Sequence, residues 1–356
     1  MNVTELKRSQ LEAVAAHRDK LRTDPHLRWL FFEITDRCNL ECSHCGSSCS
    51  SDGQYLTVSD VEKTLSSIGK DKPMICLTGG EPILHPEIFA IAACIRSKGF
   101  PWGMTTNATL IDKKTAEKLS SAGMSTVSVS LDGMEGSHDR LRRRKGAWQL
   151  ALRGIKALQD AGLRPQVTTV LHRDNFGELN DVYDLLCGMG ITSWRPINVE
   201  PIGRACESGD LMLTSDQFAE LLSYIRDKRF DPDCRMEVTF GCSHYLGTEY
   251  ERMVRDHYFL CGAGILTASV RSNGDICACL DIENRPELVQ GNIKNDDFMK
   301  VWNEGFRAFR RDRTEDCSGC RECTERYVCG GDSTHTWNFE TNEPLMCYRD
   351  PGQYKH

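Results

Sequence analysis

Eighteen cysteines in 356 residues, about one in 20, constrain this chain more than any other feature. The chain is too long to need disulfide stapling, and its first 21 residues, MNVTELKRSQLEAVAAHRDKL, carry charge every few positions in place of an apolar export core. Thiolates bound to metal are therefore the leading reading. The cysteines are clustered: Cys38, Cys42, Cys45 and Cys49 fall together, as do Cys317, Cys320, Cys323 and Cys329. Cys76, Cys94, Cys187, Cys206 and Cys234 stand singly and read as small buried hydrophobes.

Length and a 40% hydrophobic fraction supply a sizeable core. The net charge of −7 argues against a general nucleic-acid binder. No stretch approaches the roughly 20 apolar residues of a membrane span, so a cytoplasmic protein is expected.

β-rich runs alternate with amphipathic ones. Strands are expected at 29–35, 73–78, 100–106, 125–131, 164–171 and 191–198, with helical patterns following each, several closed by Gly. This is an α/β chain with a parallel sheet curled into a partial (β/α)6 barrel, whose chemistry belongs at the C-terminal strand ends. The expected organisation is an N-terminal helical extension over 1–28, the barrel over 29–230, and a small cysteine-supported domain over 231–356. In that last part helical periodicity fades, and metal is expected to hold the fold more than apolar core does.

Cys38, Cys42 and Cys45 follow the first strand at Cys-x3-Cys-x2-Cys spacing. Three thiolates on one loop can hold three irons of a [4Fe-4S] cubane and leave the fourth open. A zinc site completed by Cys49 is the alternative. Context favours the cubane: the spacing and its place resemble the signature of radical S-adenosylmethionine (SAM) enzymes. Gly79, Gly80, Glu81 and Pro82 match that family's GGEP motif, with Glu81 set to meet the methionine ammonium. Asn107 closes the third strand, and Ser130 and Asp132 the fourth, where the family binds methionine carboxylate and ribose. His44 occupies a position usually aromatic and beside adenine. HDRLRRRKGAW, HRDN and PIGRA resemble family segments of less defined role.

Further along, Cys261, Gly274-x4-Cys279, Cys320-x2-Cys323-x5-Cys329 and Cys347 resemble the SPASM extension, which carries one or two auxiliary [4Fe-4S] clusters. The resemblance gives Cys320, Cys323, Cys329 and Cys347 to an outer cluster. It leaves an inner one with Cys261 and Cys279 only, since Thr267 and Ser333 stand where two cysteines are expected. Cys317, Cys277 or Cys242 could complete it.

The resemblance implies reductive cleavage of SAM to a 5′-deoxyadenosyl radical, with electrons from a carrier such as flavodoxin or ferredoxin. It implies net oxidation of a ribosomally made peptide or protein side chain, as a crosslink or thioether. Only 28 residues precede the first strand, too few for a leader-binding domain there, so any leader is expected to be held by another protein or another surface. RLRRRK (140–145) reads as a solvated charged turn, with attraction of an acidic leader as the alternative. Two other functions stay open: a radical enzyme of tetrapyrrole, haem or other small-molecule biosynthesis, and a non-enzymatic zinc or iron-sulfur protein.

Overall fold

The computed structural model describes residues 3–47, 49, 53–207, 211–241 and 244–349. Helix α1 (Val3–Thr23) precedes strand β1 (Trp29–Thr35), after which helices and strands alternate. The order is α2 (Val58–Ser67), β2 (Met74–Gly79), α3 (Ile88–Ser97), β3 (Trp102–Thr106), α4 (Lys113–Ser121) and β4 (Thr126–Ser130). Then come α5 (Glu135–Leu141), α6 (Ala147–Asp160), β5 (Pro165–Leu171), α7 (Leu179–Gly188), β6 (Ser193–Asn198), α8 (Arg204–Glu207) and α9 (Ser215–Phe230). All six expected barrel strands are present, each within two residues of its expected ends, and they pair in parallel in chain order.

Local chemistry sets the helix starts. Thr57 caps α2 in a reciprocal box with Asp60, Thr214 does the same for α9 with Gln217, and Asp112 caps α4. Along α6, Ala147, Ala151, Gly154, Ile155 and Leu158 form the buried stripe of a helix lying on a sheet. The absent Gly154 side chain is required by this packing: a Cβ there would lie 2.3 Å from the Ala108 carbonyl oxygen. Residues 135–141 form a helix that the periodicity did not signal, being short and mostly polar.

The C-terminal third differs from expectation. The sheet does not stop at residue 230. Strand β7 (Glu237–Val238) adds in parallel beside β6, and β8 (Thr267–Val270) adds in parallel to the opposite edge, beside β1. β9 (Asp275–Cys277) and β10 (Gly291–Asn292) continue from β8 in antiparallel fashion, making this a ten-stranded sheet among the described residues. Nor is this region poor in apolar core. Val270, Ile276, Ile293, Phe298, Trp302 and Phe306 are buried in the same cluster as the barrel's Leu30, Phe32 and Ile34. Four-residue and two-residue strands are too short for an alternation pattern to show, which hid them in the sequence.

Helix α1 packs against the C-terminal region. Arg18, buried on it, donates from Nη1 to the Val328 carbonyl at 2.9 Å and from Nη2 to the Tyr327 carbonyl at 2.5 Å, bracing the turn that carries Cys329. No helix among the described residues is long and apolar enough to cross a membrane.

Candidate functional site

The loop bearing Cys38, Cys42 and Cys45 leaves the C-terminal end of β1, and elements from across the sheet converge on it. From β2, the amides of Gly80 and Glu81 donate to the Thr35 and Arg37 carbonyls, both at 2.8 Å. This approach is backbone on backbone: a Cβ on Gly79 would sit 2.1 Å from the Thr35 oxygen, and one on Gly80 2.2 Å from the Arg37 oxygen. Gly79 also holds φ +148°. Gly80→Ala is expected to destabilise the fold by about 3 kcal/mol, the upper range for forced overpacking. Wild-type thermal stability and iron uptake in that variant would contradict the close packing.

Glu81 is buried and already engaged. Its Oε1 accepts from Thr106 Oγ1 at 2.7 Å and the Ile83 amide at 3.3 Å, and Oε2 accepts from the Asn107 amide at 2.8 Å. Burial raises its pKa and these donors oppose the rise. Glu81 thus pins the ends of β2 and β3 together. Asn107 in turn donates from Nδ2 to Asn39 Oδ1 at 3.0 Å, within the cysteine loop, and Asn39 donates to Thr109 Oγ1 at 2.9 Å.

The expected charged turn at 140–145 instead grips the loop. Arg142 is buried in an ion pair with Asp132, at 2.6 Å from Nη2 and 2.7 Å from Nε to the same Oδ2, and its Nη1 donates to Cys42 Sγ at 3.7 Å. Arg143 Nε donates to Ser43 Oγ at 3.0 Å, and the Ser43 amide to the Leu141 carbonyl at 2.8 Å. Asp132 is therefore occupied, its other oxygen accepting from the Val170 amide at 2.9 Å. Burial alone would raise its pKa, but Arg142 outweighs that and holds it at about 2. Asn175, in HRDN, donates to the Asp132 carbonyl at 3.2 Å and the Val170 carbonyl at 2.9 Å.

PIGRA acts from the far side. The Arg204 amide donates to the Cys45 carbonyl at 3.1 Å and its Nε to the Cys42 carbonyl at 2.8 Å, while Gly203, at φ +54°, lies where a Cβ would be 2.6 Å from the Cys45 oxygen. His44 is half-buried as a residue, its Nδ1 atom is buried and unpartnered, and desolvation lowers it to about 4, so it is neutral. Ser130 ends β4, half-buried.

Cys38 and Cys45 pack on the buried cluster of Leu40, Cys42 and Ala147. Cys49, which sequence reasoning held outside the set, lies in hydrogen-bond contact with both: its thiol lowers Cys38 and brings Cys45 to about 6, while Cys49 itself is pushed up. Three thiols packed on Leu40 and Ala147, with Arg142 and Arg204 bonded to their loop, fit an anionic iron-sulfur cubane in charge and donor type.

In the C-terminal region Cys320, Cys323, Cys329 and Cys347 line one cavity of about 240 Å³, and Cys317 lines it with them. Cys317 Sγ accepts from the Cys320 amide at 3.4 Å, so it sits beside the cysteines expected for the outer set. The inner positions each have a polar protein neighbour. Cys261 Sγ lies 3.1 Å from Thr334 Oγ1, Cys279 Sγ 3.7 Å from Asp281 Oδ2, and Ser333 Oγ 3.2 Å from His335 Nδ1. Cys277 is buried on β9 beside Arg271, Thr267 opens β8, and Cys242 falls outside the described residues.

Sequence reasoning missed a largely buried trio at this junction. Glu200, two residues past β6, lies 2.7 Å from His335 Nε2 and 3.2 Å from His244 Nε2. Its place just past a strand end was the available signal. Burial disfavours both charges, yet each sustains the other: His335 rises to about 9 and Glu200 falls well below its usual range. The protonated His335 contribution is complete below its ordinary pKa near 6.5 and is lost as pH rises through about 9. The Glu200 contribution is lost toward acid. Thermal stability should therefore fall between about pH 6.5 and 9, by on the order of 2 kcal/mol. A flat profile there, or the same fall in His335→Gln, would contradict the pairing.

The radical SAM superfamily model matches residues 32–186, and the SPASM iron-sulfur cluster-binding domain model matches 261–324. The AdoMet-dependent heme synthase of Nitratidesulfovibrio vulgaris is 29% identical over 350 residues, covering 91% of this chain and 93% of that protein. The AdoMet-dependent heme synthase of Methanosarcina barkeri is 28% identical over 353 residues, covering 92% and 97%. Among solved structures, Streptococcus suis SuiB bound to S-adenosylmethionine superposes with a TM-score of 0.70 at 19% identity, covering 86% of this chain and 73% of SuiB. Domains of these two kinds bind [4Fe-4S] clusters, which sets aside the zinc alternative and keeps SAM as cosubstrate. The chain belongs to the radical SAM superfamily and is a radical SAM enzyme with a C-terminal SPASM domain.

Proposed function

We propose that this enzyme modifies a carboxylate-bearing tetrapyrrole, the reading that the sequence left as an alternative to peptide modification. The observation that carries it is the end-to-end similarity to heme synthases, which this chain matches in span as well as in sequence. SuiB, which has also been solved with its precursor peptide, shares the fold at 18% identity, and a fold alone does not carry a substrate.

The barrel interior supports the reading. Ser130, Thr168 and Arg195 stand in one register row across β4, β5 and β6. They are half-buried, whereas the alternate residues Val129, Val167 and Trp194 are in the helix-covered core. Arg195 Nη2 donates to Thr168 Oγ1 at 3.2 Å, and its buried Nε has no protein partner. A guanidinium with donors to spare on the open face suits a substrate carboxylate. Porphyrins of the coproporphyrin class carry propionates.

In this reading Cys38, Cys42 and Cys45 hold the SAM cluster, and His44, Gly79, Gly80, Glu81, Asn107 and Ser130 border SAM. Asp132 acts through Arg142. Cys320, Cys323, Cys329 and Cys347 hold a single auxiliary cluster, with Cys317 a fifth thiol beside it. Cys261 and Cys279 hold none. When bound, the reduced cluster supplies the electron that splits SAM into methionine and the 5′-deoxyadenosyl radical. The chain's own work is to seat the loop, exclude water from it and hold a substrate carboxylate at Arg195.

Arg195→Gln removes a charge-assisted contact of about 1.5–3 kcal/mol, so affinity for iron coproporphyrin should fall roughly ten- to a hundredfold. Substrate-free SAM cleavage should not change. Unaltered binding in an anaerobic absorbance titration would remove Arg195 from the substrate site.

A further inference from the structure

We propose that Arg142, aimed by Asp132, sets how readily the cluster on the Cys38–Cys42–Cys45 loop accepts an electron, by donating a hydrogen bond to the Cys42 sulfur. The inference rests on reading that loop as the SAM cluster site. Arg142 caps the C-terminal end of α5, and its fork is split between two acceptors: Nε and Nη2 hold Asp132 Oδ2, while Nη1 points to Cys42 Sγ at 3.7 Å.

Every other hydrogen-bonding edge of Asp132 is fixed. Its amide donates to His138 Nδ1 at 3.0 Å, its carbonyl accepts from Asn175, and its second carboxylate oxygen accepts from the Val170 amide. The carboxylate cannot turn toward solvent, being fully buried, so it holds the guanidinium in one orientation. The Asp132 charge offsets part of the Arg142 charge. Only the guanidinium, however, contacts the sulfur, so the sulfur meets the positive end of the pair.

Reduction adds one electron, and one negative charge, to a cluster already anionic through its thiolates. A fixed cation in a buried site favours the more negative state, and hydrogen bonds to cluster sulfurs are among the protein's levers on potential. The electron comes from an external low-potential one-electron donor, and Arg142 stays charged throughout. Lysine keeps the charge but cannot serve Asp132 and Cys42 at once with a planar fork. Arg142 is thus a positioning and tuning residue, acting through a cysteine.

The test is an anaerobic redox titration followed by electron paramagnetic resonance on the reconstituted full-length protein. The SAM-binding cluster is recognised by the change of its signal on adding SAM, and iron is counted in each variant. Arg142→Gln should lower the reduced-to-oxidised ratio of that cluster at a fixed potential at least tenfold, a shift of 59 mV for one electron. Arg142→Lys should shift it in the same direction by less. The auxiliary cluster signal and the Arg153→Gln variant, an exposed position on α6, should both keep their wild-type midpoints.

An unchanged midpoint in Arg142→Gln with iron retained would overturn the proposal. So would loss of that cluster's iron from both Arg142 variants, which would make Arg142 an assembly element. Failure of the underlying site reading would look different: no SAM-responsive signal in the wild-type protein.

Discussion

Replacing Cys38, Cys42 and Cys45 together with Ala removes about four irons per chain and all SAM cleavage, because a cubane cannot be held once its three thiolates are gone. The auxiliary irons stay, since Cys320, Cys323, Cys329 and Cys347 line a separate cavity. The fold should survive too, because the loop is held by backbone partners: Gly80, Glu81 and Arg204 all bond to main-chain carbonyls of the segment running from Thr35 to Cys45. Cys49→Ala is the companion variant. Its thiol touches Cys38 and Cys45, but a fourth thiolate would close the iron that SAM needs, so Cys49→Ala should keep both iron and cleavage. Iron counts and deoxyadenosine release decide both, and reductive cleavage unchanged in the triple variant would contradict the assignment outright.

Cys323→Ala should lower iron from about eight to about four per chain, leaving SAM cleavage intact and substrate turnover lost. A domain over 231–356 held mainly by metal, as the sequence suggests, would open to protease throughout on such a change. The structure narrows that expectation. Phe298, Trp302 and Phe306 anchor the middle of the region in the main core, and β8 is built into the barrel sheet. Cleavage should concentrate between about residues 313 and 349, where the short helices Ser318–Arg321 and Arg326–Cys329 have no buried residues of their own. A wild-type count near twelve would mean a second auxiliary cluster and would contradict the assignment of a single one.

The barrel was legible in the sequence because its strands run five to seven residues between helices with clear stripes, long enough for both periods to register. The cysteine loop and GGEP were legible because spacing carries their chemistry. The supporting contacts were not. That Arg142 lies buried on Asp132, or that Asn107 reaches Asn39, depends on side chains 10 and 68 positions apart meeting in space. A run such as RLRRRK looks like a solvated turn whichever arginine turns inward. The Glu200–His244–His335 trio was hidden for the same reason, its members lying on three separated segments. Asp132 marks the cost of reading strand-end polar residues one at a time: its position was legible, its partner was not.

The central claim is a radical enzyme acting on a tetrapyrrole. It is tested most directly by anaerobic incubation of the reconstituted protein with SAM, a low-potential reductant and iron coproporphyrin, reading deoxyadenosine and substrate mass in the same samples. The account predicts deoxyadenosine release that rises with the porphyrin and a mass change of the porphyrin in fixed proportion to it. Deoxyadenosine formed with the porphyrin unchanged, alongside a coupled mass change in a candidate peptide, would contradict it.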